Sequence, residues 1–219
     1  MTEIELTIKT LSPIHLSCGD ADVIVDSEAD HDRYGMPVFS GRRFKGLLHE
    51  SALEVVGMKG MEKYDKLVNR LFDRDCSKYC PESLIISDFH VIPRDEYAKQ
   101  CQIMEMLQKD YSGIISPTDV LELFSSIRYQ TKLEKGVAKK GSFRNIRVVD
   151  ENVNFYGVIA ADKLSEEALE LLALAVRNLR AAGMNRNRGF GLINCAMTLA
   201  DKRTEQDIID KLFAKEELQ

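Results

Sequence analysis

Near the N-terminus, hydrophobic and polar positions alternate strictly: Ile4, Leu6 and Ile8 are interleaved with Glu3, Glu5, Thr7 and Lys9. A period of two predicts a half-buried strand with its apolar set on one face, and Ser12-Pro13 ends it. The pattern turns helical at Ser40, a good N-cap, where Phe44, Leu47, Leu48 and Leu53 form an apolar stripe. A second helical piece is expected from Glu62 to Phe72. Leu84-Ile85-Ile86 through Phe89 and Val91 reads as a central strand stopped by Pro93. Ser116-Pro117-Thr118-Asp119 is a strong helix start, with Pro at the first helical position; that helix is expected to run through Leu121, Leu123, Phe124 and Ile127. Val153 to Ile159 is a third core strand. Ser165 caps the best helix of the chain, with Leu169, Leu172, Ala173, Val176 and Leu179 on one face, Leu164 and Leu169 placed for a hydrophobic staple, and Gly183 as C-cap. A last strand, Leu192 to Leu199, and an amphipathic helix from Thr204 to about Phe213 complete the pattern. The order predicts an α+β fold, a ferredoxin-like (RRM-like) βαββαβ core with insertions after the first and second core strands. The insertions fall at about 14–38, read as a long acidic loop with a short strand at Val23-Ile24-Val25, and at about 94–150, whose basic part should be an exposed loop around Gly136 and Gly141.

Composition changes this picture mainly through charge. The 219 residues, 44% apolar, suffice for a sizeable core. A net charge of −5 argues against a uniformly basic surface, but charge is distributed unevenly. Asp20, Asp22, Asp26, Glu28, Asp30 and Asp32 fall together without a cation. Arg128, Lys132, Lys135, Lys139, Lys140, Arg144 and Arg147 cluster against Glu134 alone, and Arg177, Arg180, Arg186 and Arg188 follow without an acid. The N-terminus lacks a basic region followed by an apolar run, and no stretch is apolar for long enough to span a membrane. Five cysteines at irregular spacing do not form a disulfide framework. Cytoplasm is the expected location.

Candidate chemistry concentrates in four places. Arg42, Arg43 and Lys45 crowd the start of a helix, the end whose dipole favours anions; cations beside free N–H groups suit a phosphate. Gly183-Met184-Asn185-Arg186-Asn187-Arg188-Gly189-Phe190-Gly191 combines three glycines, which allow close backbone approach, with donors for phosphates and base edges from Asn185, Arg186 and Arg188. Arg128, Lys132 and Arg144 interleave with Tyr129 and Phe143, aromatics able to stack bases. In the acidic loop most carboxylates read as a solvated surface, with room for one catalytic Asp binding Mg²⁺ or another divalent cation. His15 and His49 suit packing or phosphate contact. Cys76-x-x-x-Cys80, even with His90 and Cys101, lacks a second clear pair, so zinc is not expected. No P-loop, GxSxG or HExxH motif occurs.

Taken in order, these segments resemble the RAMP superfamily of CRISPR-associated proteins. Leu6 to Gly19, with Ser12-Pro13-Ile14-His15, looks like that family's opening strand and turn. Gly35-Met36-Pro37-Val38-Phe39-Ser40-Gly41-Arg42-Arg43-Phe44-Lys45-Gly46-Leu47 looks like its helix start, with Ser40 where the family usually has Pro and Arg42-Arg43 where it often has two serines. Ser83 to Phe89, Arg128 to Thr131, Gly141 to Arg144, Phe155-Tyr156-Gly157 and Asn187-Arg188-Gly189-Phe190-Gly191 continue the match. The resemblance implies a guide-RNA-binding subunit of a type III-like CRISPR effector, repeated along the guide beside other effector subunits. It implies guide-RNA contacts from Arg42, Arg43, Lys45, His49, Arg128, Lys132, Arg144, Asn185, Arg186 and Arg188. It further implies cleavage of complementary target RNA by Asp26 with a divalent metal, Asp22 and Asp30 being alternates. A noncatalytic subunit capping the guide, a metal-independent guide-precursor ribonuclease using His15 or His49, and a protein-interaction subunit are the competing readings.

Overall fold

The computed structural model describes residues 2–17, 19, 25–58, 61–73 and 80–216, the side chains of Asn187 and Glu216 excepted. In chain order the elements are β1 (Thr2–Thr10), β2 (Val38–Phe39), α1 (Gly41–Val56), a 3-10 turn (Glu62–Tyr64) running into α2 (Asp65–Leu71), β3 (Ile85–Ile86), β4 (Phe89–His90), α3 (Arg94–Asp110), α4 (Pro117–Glu122), β5 (Ser125–Gln130), β6 (Leu133–Glu134), β7 (Val137–Ala138), β8 (Arg144–Val149), β9 (Asn154–Ala161), α5 (Glu166–Asn178), a 3-10 turn (Arg186–Arg188), β10 (Ile193–Leu199) and α6 (Glu205–Glu216). The fold is mixed α+β, an antiparallel sheet with helices. Its sheet runs β10-β1-β9-β4-β2, with β3 also paired to β9.

The alternation in β1 is realised in full. Ile4, Leu6 and Ile8 are buried while Glu3, Glu5 and Lys9 are exposed. The buried face packs with α1 through Phe44 and Leu48, with α5 through Leu169, Leu172 and Val176, and with α6 through Ile208 and Ile209. Phe39 meets Phe44 edge-on at 5.9 Å and Phe155 at 6.2 Å, and Phe44 lies 4.8 Å from Phe89. This aromatic knot fixes the first turn of α1 against the sheet. Ser165 caps α5 as expected, its Oγ accepting the Ala168 N–H at 3.2 Å. A second small cluster of Tyr34, Met36, Met104 and Val120 packs the chain before β2 onto α3 and α4.

Several expectations need correction. The strand expected from Leu84 to Val91 is two short pieces, because Ser87 and Asp88 turn aside to serve other elements: Ser87 Oγ accepts the Val158 N–H at 2.9 Å and Asp88 caps α1. The helix begun at Ser116 has the full capping box but stops at Glu122, and Ile127 lies in β5, paired to Arg147. The Ser125 hydroxyl turns back onto the Leu121 carbonyl at 2.6 Å, closing that helix. The basic stretch expected as a loop is a β-hairpin: β5 pairs with β8, and β6 with β7 around Lys135-Gly136, whose φ of 52° and 82° suit a two-residue hairpin turn. Helix α5 ends at Asn178 with Leu179 as C-cap, so Gly183 serves a loop instead. Helix α3, mostly polar, was not foreseen. Val23 and Ile24 lie outside the described residues, as do Asp22 and Cys76. No helix among the described residues is long and apolar enough to cross a membrane.

Candidate nucleic-acid interface

The first turn of α1 is closed to a phosphate at its tip. Asp88 Oδ1 accepts the Gly41 N–H at 2.8 Å, so a carboxylate from the sheet already fills the anion position. A Cβ on Gly41 would stand 2.3 Å from the Ser87 carbonyl oxygen, so the sheet edge presses directly on the helix end. The cations lie on the helix flank instead. With Phe44, Leu48, Ser51, Ala52 and Val55 buried, the outward stripe of the helix carries Arg42, Arg43, Gly46, His49 and Glu50.

Arg43, Gly46 and Glu50 of that stripe form one wall of a groove of ≈ 570 Å³, completed by His15, Ser17 and Met184 among others, while Arg42 and His49 face a smaller hollow on the other side of Gly46. The glycine-rich loop forms the adjoining hollow of ≈ 440 Å³ around Asn185, Arg186 and Arg188. Asn185 takes a left-handed φ of 60°. Two of this loop's glycines serve the fold and not a ligand: a Cβ on Gly191 would lie 2.0 Å from the Ala182 carbonyl oxygen, and one on Gly183 2.8 Å from that of His15. The Met184 N–H donates to the His15 carbonyl at 3.0 Å and that of Gly191 to Pro13 at 2.8 Å. The arginines are thus carried on a loop stitched to the turn after β1.

The candidate cations differ in how tightly the protein already holds them. Lys45 donates to Asp73 Oδ2 at 2.9 Å and to the Leu84 carbonyl at 2.7 Å. Ser83 Oγ also donates to that carboxylate, and these two bonds, the serine's first, keep the Asp73 carboxyl below its usual range. Lys45 is therefore a brace between α1 and the chain entering β3. Arg43 stands 3.7 Å from Asp30, and Arg186 stands 3.8 Å from Glu50; both arginines are nearly half exposed. The exposed Arg186–Glu50 pair contributes below about 1 kcal/mol, so Arg186 can exchange its carboxylate for a phosphate, whereas the partner of Arg43, Asp30, is half-buried. His49 lies beside Phe72, ring centroids 5.0 Å apart.

Asp26 stands apart from these cations. Its N–H donates to Asn145 Oδ1 at 2.9 Å, and its own Oδ2 accepts the Asn145 N–H at 2.8 Å. It is thereby fastened to β8 of the hairpin at the level of Tyr129. Ser27, next in the chain, lies 3.1 Å from His15 Nε2 and 3.0 Å from Ser17 Oγ in the groove wall, so Asp26 stands where groove meets hairpin. His15 is buried, with Nδ1 donating to the Arg147 carbonyl at 2.8 Å, and burial lowers its pKa despite that bond. Asp30 is half-buried, and desolvation raises its pKa against the pull of Arg43. No group of three or more His, Cys, Asp or Glu able to hold a metal occurs among the described residues. Asp26 fits a divalent cation only as a single protein ligand, its shell completed by substrate phosphates and water as Mg²⁺ sites often are.

Arg128, Lys132 and Arg144 are exposed on the hairpin. Tyr129 opposes Asn145, which makes Phe143 its diagonal neighbour, and the two rings stack at 5.6 Å and 20° while 65% and 67% exposed. Arg147, counted from sequence with this basic run, is 1% exposed and belongs to the interior with Glu28. Sequence reasoning missed Glu50, Asp88, Asn145 and the buried Glu28–Arg147 pair. Of these, only Glu50 carries a sequence signal, falling four residues after Gly46 and seven after Arg43 on one helix face.

These features define an α+β protein whose helix flank and stitched basic loop form a groove beside a cationic, aromatic hairpin. The RAMP superfamily model matches residues 7–194, and the chain belongs to that superfamily. Two solved structures are similar in fold. A chain of the type III-B Cmr-β complex bound to cognate target RNA is 11% identical, with TM-score 0.65 over 95% of this chain and 99% of that one. A chain of the apo type III-B Cmr-β complex is 12% identical, with TM-score 0.64 over 94% and 98%. No curated protein sequence matches the chain significantly.

Proposed function

We propose that this chain is an RNA-binding subunit of a type III-like CRISPR ribonucleoprotein, holding guide RNA and cutting complementary target RNA beside other effector subunits, with copies repeated along the guide. One observation carries the reading: Arg43 lines the main groove, Arg186 and Arg188 line the hollow that adjoins it at Gly183 and Met184, and the hairpin carries the exposed Tyr129–Phe143 stack with Arg128, Lys132 and Arg144. Family membership supports it. The strand order supports reading the core as ferredoxin-like βαββαβ, with β1, α1, the β3/β4 segment, β9, α5 and β10 as its six elements. The chain is then one RAMP-like domain with inserted segments at about 14–38 and 94–150.

In this mechanism Arg42, Arg43, Arg186 and Arg188 take guide phosphates, with Asn185 and His49 at the margins and Lys45 bracing the helix that presents them. The hairpin cations and aromatics clamp the guide–target duplex, whose sequence is read by base pairing. Asn145 fixes the direction of the Asp26 carboxylate. A divalent cation, when bound at Asp26, would neutralise charge on the phosphate attacked by a ribose 2′-hydroxyl. The bond from Asp26 Oδ2 to a backbone N–H favours a second reading, in which Asp26 is structural and the subunit binds RNA without cutting. The test uses the assembled complex with a complementary RNA, in Mg²⁺ and in EDTA. Asp26→Ala should abolish cutting while RNA stays bound. Retained cutting would refute the catalytic role. Arg186→Ala with Arg188→Ala should weaken RNA binding and reduce the salt slope by about 0.7 for each phosphate no longer neutralised; unchanged affinity would refute the groove.

A further inference from the structure

The groove contains a glycine that the fold does not require. Gly46 lies inside α1 with no left-handed φ, and a Cβ there would meet no described atom within 4 Å. Other glycines are explained by what they touch: Gly41 by the Ser87 carbonyl at 2.3 Å, Gly157 by the Phe89 ring at 2.4 Å, Gly191 by the Ala182 carbonyl at 2.0 Å. Glycine inside a helix is less favourable than alanine because it loses more backbone freedom on folding. Among the described residues, neither conformation nor packing requires it at this position. The bare helix face leaves room for the close approach of something outside the described chain.

The surroundings indicate what that is. Gly46 lies on the ridge between the main groove and a smaller hollow of ≈ 230 Å³ beside Arg42 and His49. Leu16, Phe39, Leu47 and Met184 give the main groove apolar walls, and Arg43 and Glu50 supply its polar edges. A phosphate needs converging donors, and Arg43, at the groove's edge, is the one lysine or arginine among its described lining residues. The flat face of a base needs apolar walls and close approach, and its edge needs a few polar groups.

We infer that one unstacked nucleobase of the bound RNA lies against the bare backbone of α1 at Gly46, between the helix and Met184. This rests on the RNA-binding reading above and adds a base subsite to it.

The test compares full-length wild type, Gly46→Ala and Gly57→Ala. Gly57 ends the same helix, exposed and right-handed, with a Cβ there meeting its nearest neighbours at 3.4 and 3.5 Å. Each protein is melted thermally and titrated with a single-stranded RNA oligonucleotide of mixed sequence and with an abasic strand of the same length. Both alanine variants should melt about 2 °C higher. Gly46→Ala alone should bind the RNA roughly tenfold more weakly, since one added methyl holds the base off the bare helix backbone. Its salt slope should be unchanged, as every phosphate stays neutralised, and its affinity for the abasic strand should equal wild type. Wild-type RNA affinity in Gly46→Ala would overturn the inference and leave the RNA-binding reading intact. An equal loss on the abasic strand would also overturn it, by showing that sugar-phosphate lies there. A lower melting temperature for Gly46→Ala would do so by showing that the chain itself fills the space. A wild type that binds neither strand would overturn the RNA-binding reading and the subsite together.

Discussion

The Glu28–Arg147 pair should be among the costliest polar contacts in the chain to break. The Arg147 side chain is 1% exposed, with Nε 2.8 Å from Glu28 Oε1 and Nη1 3.8 Å from Glu122 Oε1, whose side chain is 55% exposed. Among the described residues, Arg147 Nε and Nη2 have no aligned hydrogen bond despite that short distance, so the attraction to Glu28 is chiefly between charges. Removing one partner of a buried pair strands the other in low dielectric and costs about 3–5 kcal/mol. Glu122 remains as a partial counter-charge, which places Glu28→Ala near the lower end, about 3 kcal/mol. At about 2–4 °C for each kcal/mol in a chain of this size, the melting temperature should fall by about 6–12 °C. The backbone of Arg147 also joins the hairpin root to the chain before β2, its N–H donating to Ser27 O at 3.0 Å, so the loss should loosen the hairpin as well. Circular dichroism melts at neutral pH measure the drop. Glu28→Met combined with Arg147→Met should recover most of it, because apolar replacement of a buried pair is often neutral. A fall below about 2 °C for Glu28→Ala would refute the reasoning, since it would mean that water reaches Arg147.

Two further outcomes follow from the same structure. Asp88→Ala removes the carboxylate capping α1 at Gly41, which should cost about 1 kcal/mol and lower the melting temperature by about 2–4 °C with RNA affinity kept; higher RNA affinity would instead mean that a phosphate reaches the vacated helix tip. Burial lowers the pKa values of His15 and His90, so the unfolded chain takes up protons first as pH falls through the ordinary histidine value of about 6.5. Their contribution to stability is full above that value and is lost between it and the lowered folded values. The melting temperature should therefore drop from pH 7.5 to 5.5, and less steeply in His15→Gln; the same slope in that variant would refute the assignment.

The core of this fold was readable because its signal is local. The alternation of Ile4, Leu6 and Ile8 and the capped stripe after Ser165 each state their own geometry within a dozen residues. The errors fall where a distant partner decides. Leu84 to Val91 has the composition of one strand, yet Asp88 is drawn out to cap a helix 47 residues earlier, and the strand breaks around it. Arg147 sits in a run of cations and is sequence-indistinguishable from Arg144. Its burial depends on Glu28, which a sequence reading groups with a solvated acidic loop. The hairpin is hard to read because the apolar positions of its tip, Leu133 and Val137, are exposed, while in β8 Ile146, Arg147, Val148 and Val149 are buried in succession, so neither part alternates.

The site shows the same limit from the other side. By sequence, Arg43 and Lys45 are equivalent cations in one helical turn, but the lysine holds both a carboxylate and a carbonyl while the arginine faces one carboxylate at 3.7 Å. The arginine's single, longer contact is the looser hold. The glycines reverse their expected roles in the same way. Three in the basic loop invite a ligand-approach reading, yet two of them are taken up by backbone contacts with residues 13–15 and 182. Gly46, which interrupts an otherwise ordinary helical pattern, is a helical glycine whose missing side chain the described chain leaves unexplained. A glycine signals a ligand only after the protein's own close contacts have been subtracted, and that subtraction requires coordinates.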